Sequence, residues 1–227
     1  MNTFKSKLSF KKMIALSLFG CVALANAETY SELPVENVQV NSYTQVSEED
    51  PFMKIWGDGQ NALHPSNEFP PQHQYSYALI KWDLTKLKQK NITSAKIICT
   101  TAGIARALGS KLPSIEAYLA SGHDFELDSL LNEEKKLSDF PKPTTTKIGE
   151  SQSWTADLPK NQSIEVVLNP EILQNYIQTH SEEKNLHLAL FLASSIKCEQ
   201  FKRNYFTLYA KECNDESISP KLMIDYN

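Results

Sequence analysis

Apolar and polar side chains alternate with a period of two through most of the chain, the pattern of half-buried β-strands. In YSYALIKWDL (75–84), Ala78, Ile80, Trp82 and Leu84 share one face, and Tyr75, Tyr77, Leu79, Lys81 and Asp83 share the other. SAKIICT (94–100) sets Ala95, Ile97 and Cys99 against Lys96, Ile98 and Thr100. The same alternation runs through SIEAYLA, SIEVVLN, NLHLALFL, NYFTLYAK and KLMIDY, and more weakly through VQVNSY and FMKIW. These nine short strands each have one apolar face. Two antiparallel sheets packed face to face bury such faces best. The pattern therefore predicts an all-β fold: a two-sheet antiparallel sandwich with one or two short helices.

One segment breaks the period. In NPEILQNYIQTH, Asn169 is placed to cap a helix and Pro170 to occupy its first position. Ile172, Leu173, Tyr176 and Ile177 then fall on one side, predicting a helix that closes one end of the sandwich. Residues 124–140 read as a helical turn within a long surface connection. PKPTTTKIGESQS (141–153) reads as a loop by composition, and so does the Asn-, Pro- and Gln-rich stretch between Trp56 and Tyr75.

The first 27 residues change the picture. Lys5, Lys7, Lys11 and Lys12 precede an apolar run from Met13 to Leu24, which ends in Ala25-Asn26-Ala27. This is the form of a secretory signal peptide cleaved after Ala27. The run is too short to span a bilayer as a helix, which takes ~20 residues. Retention as an anchor and lipid attachment at Cys21 are the alternatives; Phe19 fits a lipoprotein signal poorly. The expected product is a single domain, 28–227, exported to the periplasm, the cell surface or the medium, with no transmembrane segment. The whole chain has 23 basic and 27 acidic side chains. The signal takes away four lysines and no acids, which leaves 19 against 27 and a net charge of −8. That excludes the basic footprint of a nucleic-acid-binding protein.

Cys99, Cys198 and Cys213 remain after export. Cys99 shares parity with the apolar face of its strand and reads as a core residue. Cys198 and Cys213 flank a predicted hairpin, and an oxidising compartment favours a disulfide between them.

YSYALIKWDLTKLKQKNITSAKIICT resembles a signature of the family 96 carbohydrate-binding modules, the DNRLRE-type domains. There, a strand ending aromatic-Asp-Leu leads through a polar connection to Thr-Ser-Ala-Lys. Trp82-Asp83-Leu84 and Thr93-Ser94-Ala95-Lys96 stand in those places. Ser219-Pro220-Lys221-Leu222 and Tyr226 resemble the family's closing strands. The likeness covers 75–110 and 163–227, and in 111–162 the family's Trp- and Thr-rich stretch is absent. The resemblance implies a jelly-roll sandwich in a secreted, polysaccharide-related protein.

Sugar rings present C–H faces that stack on aromatic rings and hydroxyls that need polar neighbours. Tyr75, Tyr77 and Lys81 lie on the less apolar face of the central strand, with Tyr118, Tyr205 and Tyr209 in similar positions and Trp56 before a tight turn. Trp56, Tyr75, Tyr77 and Lys81 are therefore the expected glycan platform, with a polysaccharide or other glycan as partner. No cofactor is expected; structural calcium at Gly57-Asp58-Gly59 or beside Asp215 and Glu216 is the weaker alternative. The sequence has no GxSxG elbow, HExxH motif or phosphate loop. The leading reading is a non-catalytic carbohydrate-binding or cell-surface module. The alternatives are an envelope protein-interaction module and a polysaccharide lyase using a histidine such as His64, His73 or His123 beside tyrosine and lysine.

Overall fold

The computed structural model describes residues 27–41, 51–55, 76–105, 113–121, 143–195 and 206–227. Eleven strands lie among them: β1 (Glu28–Glu32), β2 (Glu36–Asn41), β3 (Phe52–Ile55), β4 (Ser76–Asp83), β5 (Ile92–Thr100), β6 (Ile115–Ala120), β7 (Pro143–Ser151), β8 (Ser163–Leu168), β9 (His187–Ser194), β10 (Phe206–Tyr209) and β11 (Lys221–Tyr226). One α-helix, α1, spans Pro170–Thr179. Nine strands form a curled antiparallel sheet in the order β1-β11-β5-β8-β7-β6-β9-β4-β2, and β10 pairs with β3 in a smaller one. The fold is the expected all-β sandwich.

The two outermost strands of the large sheet, β1 and β2, are consecutive in the chain and joined by residues 33–35 alone. The sheet must therefore curl until its edges approach. Two bonds fasten this seam: the Tyr30 hydroxyl donates to the Asp83 carbonyl, and the Val35 N–H donates to the Lys81 carbonyl at 2.7 Å.

The inward face is the one the alternation marks. Ala78, Ile80 and Trp82 from β4 meet Ile97 and Cys99 from β5, Val166 from β8, Leu188, Leu190 and Leu192 from β9, and Leu222 and Ile224 from β11 in one apolar cluster. Each fully buried Leu or Ile stabilises the fold by roughly 1.5–3 kcal/mol. Both ends of the cluster are closed. At one end α1 contributes Leu173 and Ile177, its Gln174 side chain accepts the Ile92 N–H, and its Tyr176 hydroxyl donates to the His187 carbonyl. At the other end β3 and β10 contribute Met53, Ile55, Phe206 and Leu208, and Trp154 sets its ring edge-on to Phe206 at 5.7 Å.

The helix begins as its sequence predicts. Asn169 is extended, its side-chain oxygen accepts the N–H groups of Glu171 and Ile172, and Pro170 fills the first turn. Two strands differ from the sequence reading. β1 (ETYSE) carries one buried apolar residue, Tyr30, and β7 corrects the loop expected over 141–153. In β7 the Thr-rich, β-branched run suits a pleated strand, and only Ile148 of the described side chains is a buried hydrophobe. Such strands are held by their neighbours' backbones more than by their own burial. Among the described residues, no helix is long and apolar enough to cross a membrane.

Candidate functional site

The expected platform divides between two fates. Trp56 and Tyr75 lie outside the described residues. Tyr77 and Lys81 share the outer face of β4, as their parity requires, but each is only 4% exposed. Tyr77 meets Phe191 edge to face at 4.7 Å, and Lys81 pairs with Glu36 across β2 and β4 at 3.6 Å. Leu79 lies opposite both Val38 and Phe191, and Tyr118 opposite Phe191; all four are buried. The outer face of the β2-β4-β9-β6 layer is thus a second apolar layer, and Tyr77 and Lys81 do not form a solvent-facing platform. Alternation separates the two faces of a strand without saying which one water reaches. The nearly continuous apolar runs ALI and LALFLA were the available signal, since strands buried on both faces read this way.

The other tyrosines do not gather here. Tyr209 lies at the small sheet, where its hydroxyl donates to Asn161 at 3.1 Å and its ring tilts against Phe52. Tyr205, Cys198, Asp58, His64, His73 and His123 lie outside the described residues. Cys213 is a free thiol 3.3 Å from the Ser219 hydroxyl, in a turn that directs it back onto its own loop. The expected Cys198–Cys213 disulfide is not formed in this structure. Asp215 spends one carboxylate oxygen on the Ser217 N–H and hydroxyl, which is turn chemistry. Among the described residues, no group of three or more His, Cys, Asp or Glu side chains is arranged to hold a metal ion.

A different site emerges where the sheet turns. Residues 149–151 of β7 pair with β8 on one side, while Gly149 and Glu150 also pair with β6 on the other. The β6 side shifts register twice, at Ala117/Tyr118 and Tyr118/Ala120. These irregularities sharpen the local twist and re-aim side chains. They bring Lys147, Glu150 and Glu116 together. The Lys147 Nζ donates to Glu116 Oε1 at 3.1 Å and to Glu150 Oε2 at 2.8 Å. The Tyr118 hydroxyl donates to the second oxygen of Glu116 at 2.6 Å, and the Ser114 hydroxyl to the second oxygen of Glu150.

Beside this network lies an open groove of about 510 Å³, lined by Lys147, Gly149, Glu150, Val167, Asn169 and Glu171 among others. Val167 forms an aliphatic surface in it and is 60% exposed. The hydrogen bonds from Lys147 and Ser114 hold the Glu150 carboxyl below its ordinary range, and the bond to Glu150 raises the Lys147 ammonium. Both are charged at neutral pH. Lys147 has spent two of its three N–H donors, and the carboxylates of Glu150 and Glu171 keep lone pairs for further bonds. The groove therefore offers the remaining Lys147 N–H and the Asn169 side-chain N–H groups as donors, several acceptors and the exposed Val167 side chain.

Sequence reading missed Lys147 and Glu150 because the segment carrying them looked like a loop. The available signal was the β-branched run Thr144-Thr145-Thr146 leading into Ile148. No family model matches the chain, and no curated protein matches it.

Proposed function

We propose that this protein is an exported, non-catalytic β-sandwich module that binds a glycan in the groove at the β7 corner. The observation that carries the reading is the meeting of a fixed cation, ionised carboxylates and the exposed Val167 side chain on one open surface. Sugars need hydroxyl partners beside an apolar surface, and the groove supplies both. Because it is shallow, affinity per site is modest, since little surplus remains after the cost of ordering a ligand. The resemblance of 75–110 and 163–227 to family 96 carbohydrate-binding modules supports the same class of function. The basic-then-apolar N-terminus supports export, and cleavage after Ala27 leaves β1, which starts at Glu28, whole.

Pull-down on insoluble polysaccharides and affinity electrophoresis in soluble ones test the reading. Wild-type protein is retarded by at least one glycan, and Lys147→Ala weakens that retardation while leaving the thermal midpoint within a few degrees. Retardation untouched by Lys147→Ala and by Glu150→Gln would place binding elsewhere.

A second reading, an envelope protein-interaction module, is favoured by one feature. Among the described residues, β1 pairs only with β11, and an open groove at its far end is lined by Glu32, Pro34, Val35, Asp83, Glu216 and Lys221. An extended partner segment would add to that edge. Binding lost on changing Glu32 and Asp83, but kept on changing Glu150, identifies this mode. The lyase reading gains least from the corner groove, whose excess negative charge opposes a uronate chain.

A further inference from the structure

We infer that the β7 corner groove selects by charge, taking an uncharged, hydroxyl-bearing chain and turning away a carboxylated or sulfated one. The inference rests on the glycan reading above and names the ligand class for that same groove.

Four features of the groove lead to it. Among the described residues that line it, Lys147 is the only cation, against Glu150 and Glu171, and Glu116 is ion-paired to it. Its charge is already matched twice, at 3.1 Å and 2.8 Å. An anion reaching Lys147 must displace one of these carboxylates or sit beside Glu150, and both arrangements put like charges in contact.

The second feature is the start of α1. A helix N-terminus attracts anions through its unpaired N–H groups and the positive end of its dipole. Here Asn169 Oδ1 accepts the N–H groups of Glu171 and Ile172 at 2.9 and 3.2 Å. Glu171 also places a carboxylate in the first turn. The backbone donors are occupied, with the Leu173 N–H bonded to the Asn169 carbonyl, and the positive end is compensated, so this terminus offers an anion no free backbone N–H.

Thirdly, Glu150 is kept ionised by its bonds to Lys147 and Ser114, so the groove presents acceptors at neutral pH. Vicinal hydroxyls are matched donors for such oxygens, and a hydrogen bond to a charged group is stronger than one between neutral groups. The remaining N–H of Lys147 serves a ring or hydroxyl oxygen of the same ligand. Val167 lies between these polar groups, where the C–H face of a neutral ring can rest.

The last feature acts at a distance. The chain from residue 28 onward carries 19 basic and 27 acidic side chains. A polyanion therefore meets net repulsion before contact, over a Debye length of ~8 Å at physiological salt.

The test is a matched pair of probes with one backbone: methyl-esterified polygalacturonan and de-esterified polygalacturonate, measured alongside a panel of neutral glucans, mannans and xylans. The expected result has three parts. The neutral panel contains a ligand. The esterified polymer binds more tightly than its acid form by roughly tenfold or more at low salt, and 1 M NaCl narrows that gap. The Glu150→Gln/Glu171→Gln variant, checked for native circular dichroism, narrows it as well. Equal or tighter binding of the acid form by wild-type protein overturns the charge selection while leaving the glycan reading standing. A gap insensitive to both salt and the double variant overturns it too. Failure of every neutral and every acidic polymer removes the glycan reading and this inference with it. The salt titration uses wild-type protein, so the outcome is readable even if the double variant does not fold.

Discussion

Gly149 stands so close to the neighbouring strand that a Cβ built on it would lie 2.4 Å from the Val167 carbonyl oxygen and 2.7 Å from Leu168 Cδ2. The clash is with backbone, which cannot rotate away as a side-chain tip can. This approach falls where β7 pairs with β6 and β8 at once, so the corner is built on the missing side chain. Gly149→Ala is expected to destabilise by about 1–3 kcal/mol, the usual range for forced overpacking. Thermal unfolding followed by circular dichroism measures it, and an unchanged midpoint would mean that β8 is free to shift.

Asn169 joins the fold and the groove. Its side chain holds two N–H groups at the start of α1. Replacing it with alanine removes both bonds, at about 1 kcal/mol. The urea midpoint should fall with the slope unchanged. The variant also frees the helix terminus, so its discrimination against acidic polymers should weaken relative to wild type.

How much of this could be read in advance depended on where each strand obtains its stability. β4, β5, β8, β9 and β11 bury alternate side chains, and Ile80, Ile97, Val166, Leu188 and Leu222 are in the core where the alternation puts them. The cap at Asn169 was legible because capping is local chemistry. β1 and β7 escaped notice because pairing with distant strands, not a run of apolar residues, makes them strands. The corner groove escaped with β7, since Lys147, Glu150, Glu116 and Ser114 come from two segments that only the sheet brings together. The Tyr77 and Lys81 part of the expected platform differs for the opposite reason, while Trp56 and Tyr75 lie outside the described residues. The parity of Tyr77 and Lys81 was right, but the layer they lie on is covered. The expected disulfide rested on a predicted hairpin and an oxidising compartment, and neither fixes where a thiol points; Cys213 turns to Ser219.

The cysteines should differ sharply in reactivity. Cys99 is fully buried among core side chains, and burial pushes its thiol up to about 12. The thiolate is the reactive form, so Cys99 is silent in the native state. Cys213 is partly exposed on a short turn. Iodoacetamide at pH 8 followed by peptide mapping should label Cys213 in native protein and Cys99 only after denaturation. Labelling of Cys99 without denaturant would contradict the burial.

Acid should weaken the fold through two named carboxylates. Glu150 is lowered by hydrogen bonds from Lys147 and Ser114. Asp83 is lowered as well: burial opposes the shift, but the side-chain and backbone bonds from Thr85 outweigh it. A carboxyl lowered by folding stabilises the native state above its unfolded value, and that contribution is lost as pH falls through its folded value. Stability should therefore be flat down to about pH 5 and decline below roughly pH 4. Glu150→Gln should flatten part of that decline. A thermal midpoint that rises on acidification through this window would contradict the assignment.

The most direct test of the central claim is amide chemical-shift mapping of isotope-labelled protein, from residue 28 onward, during titration with neutral oligosaccharides. The account predicts saturable shifts at Gly149, Glu150, Val167, Asn169 and Glu171, with little change at Tyr77, Lys81 and Phe191. Shifts confined to the β1 edge or to the buried tyrosine layer, or none with any sugar up to millimolar concentration, would contradict it.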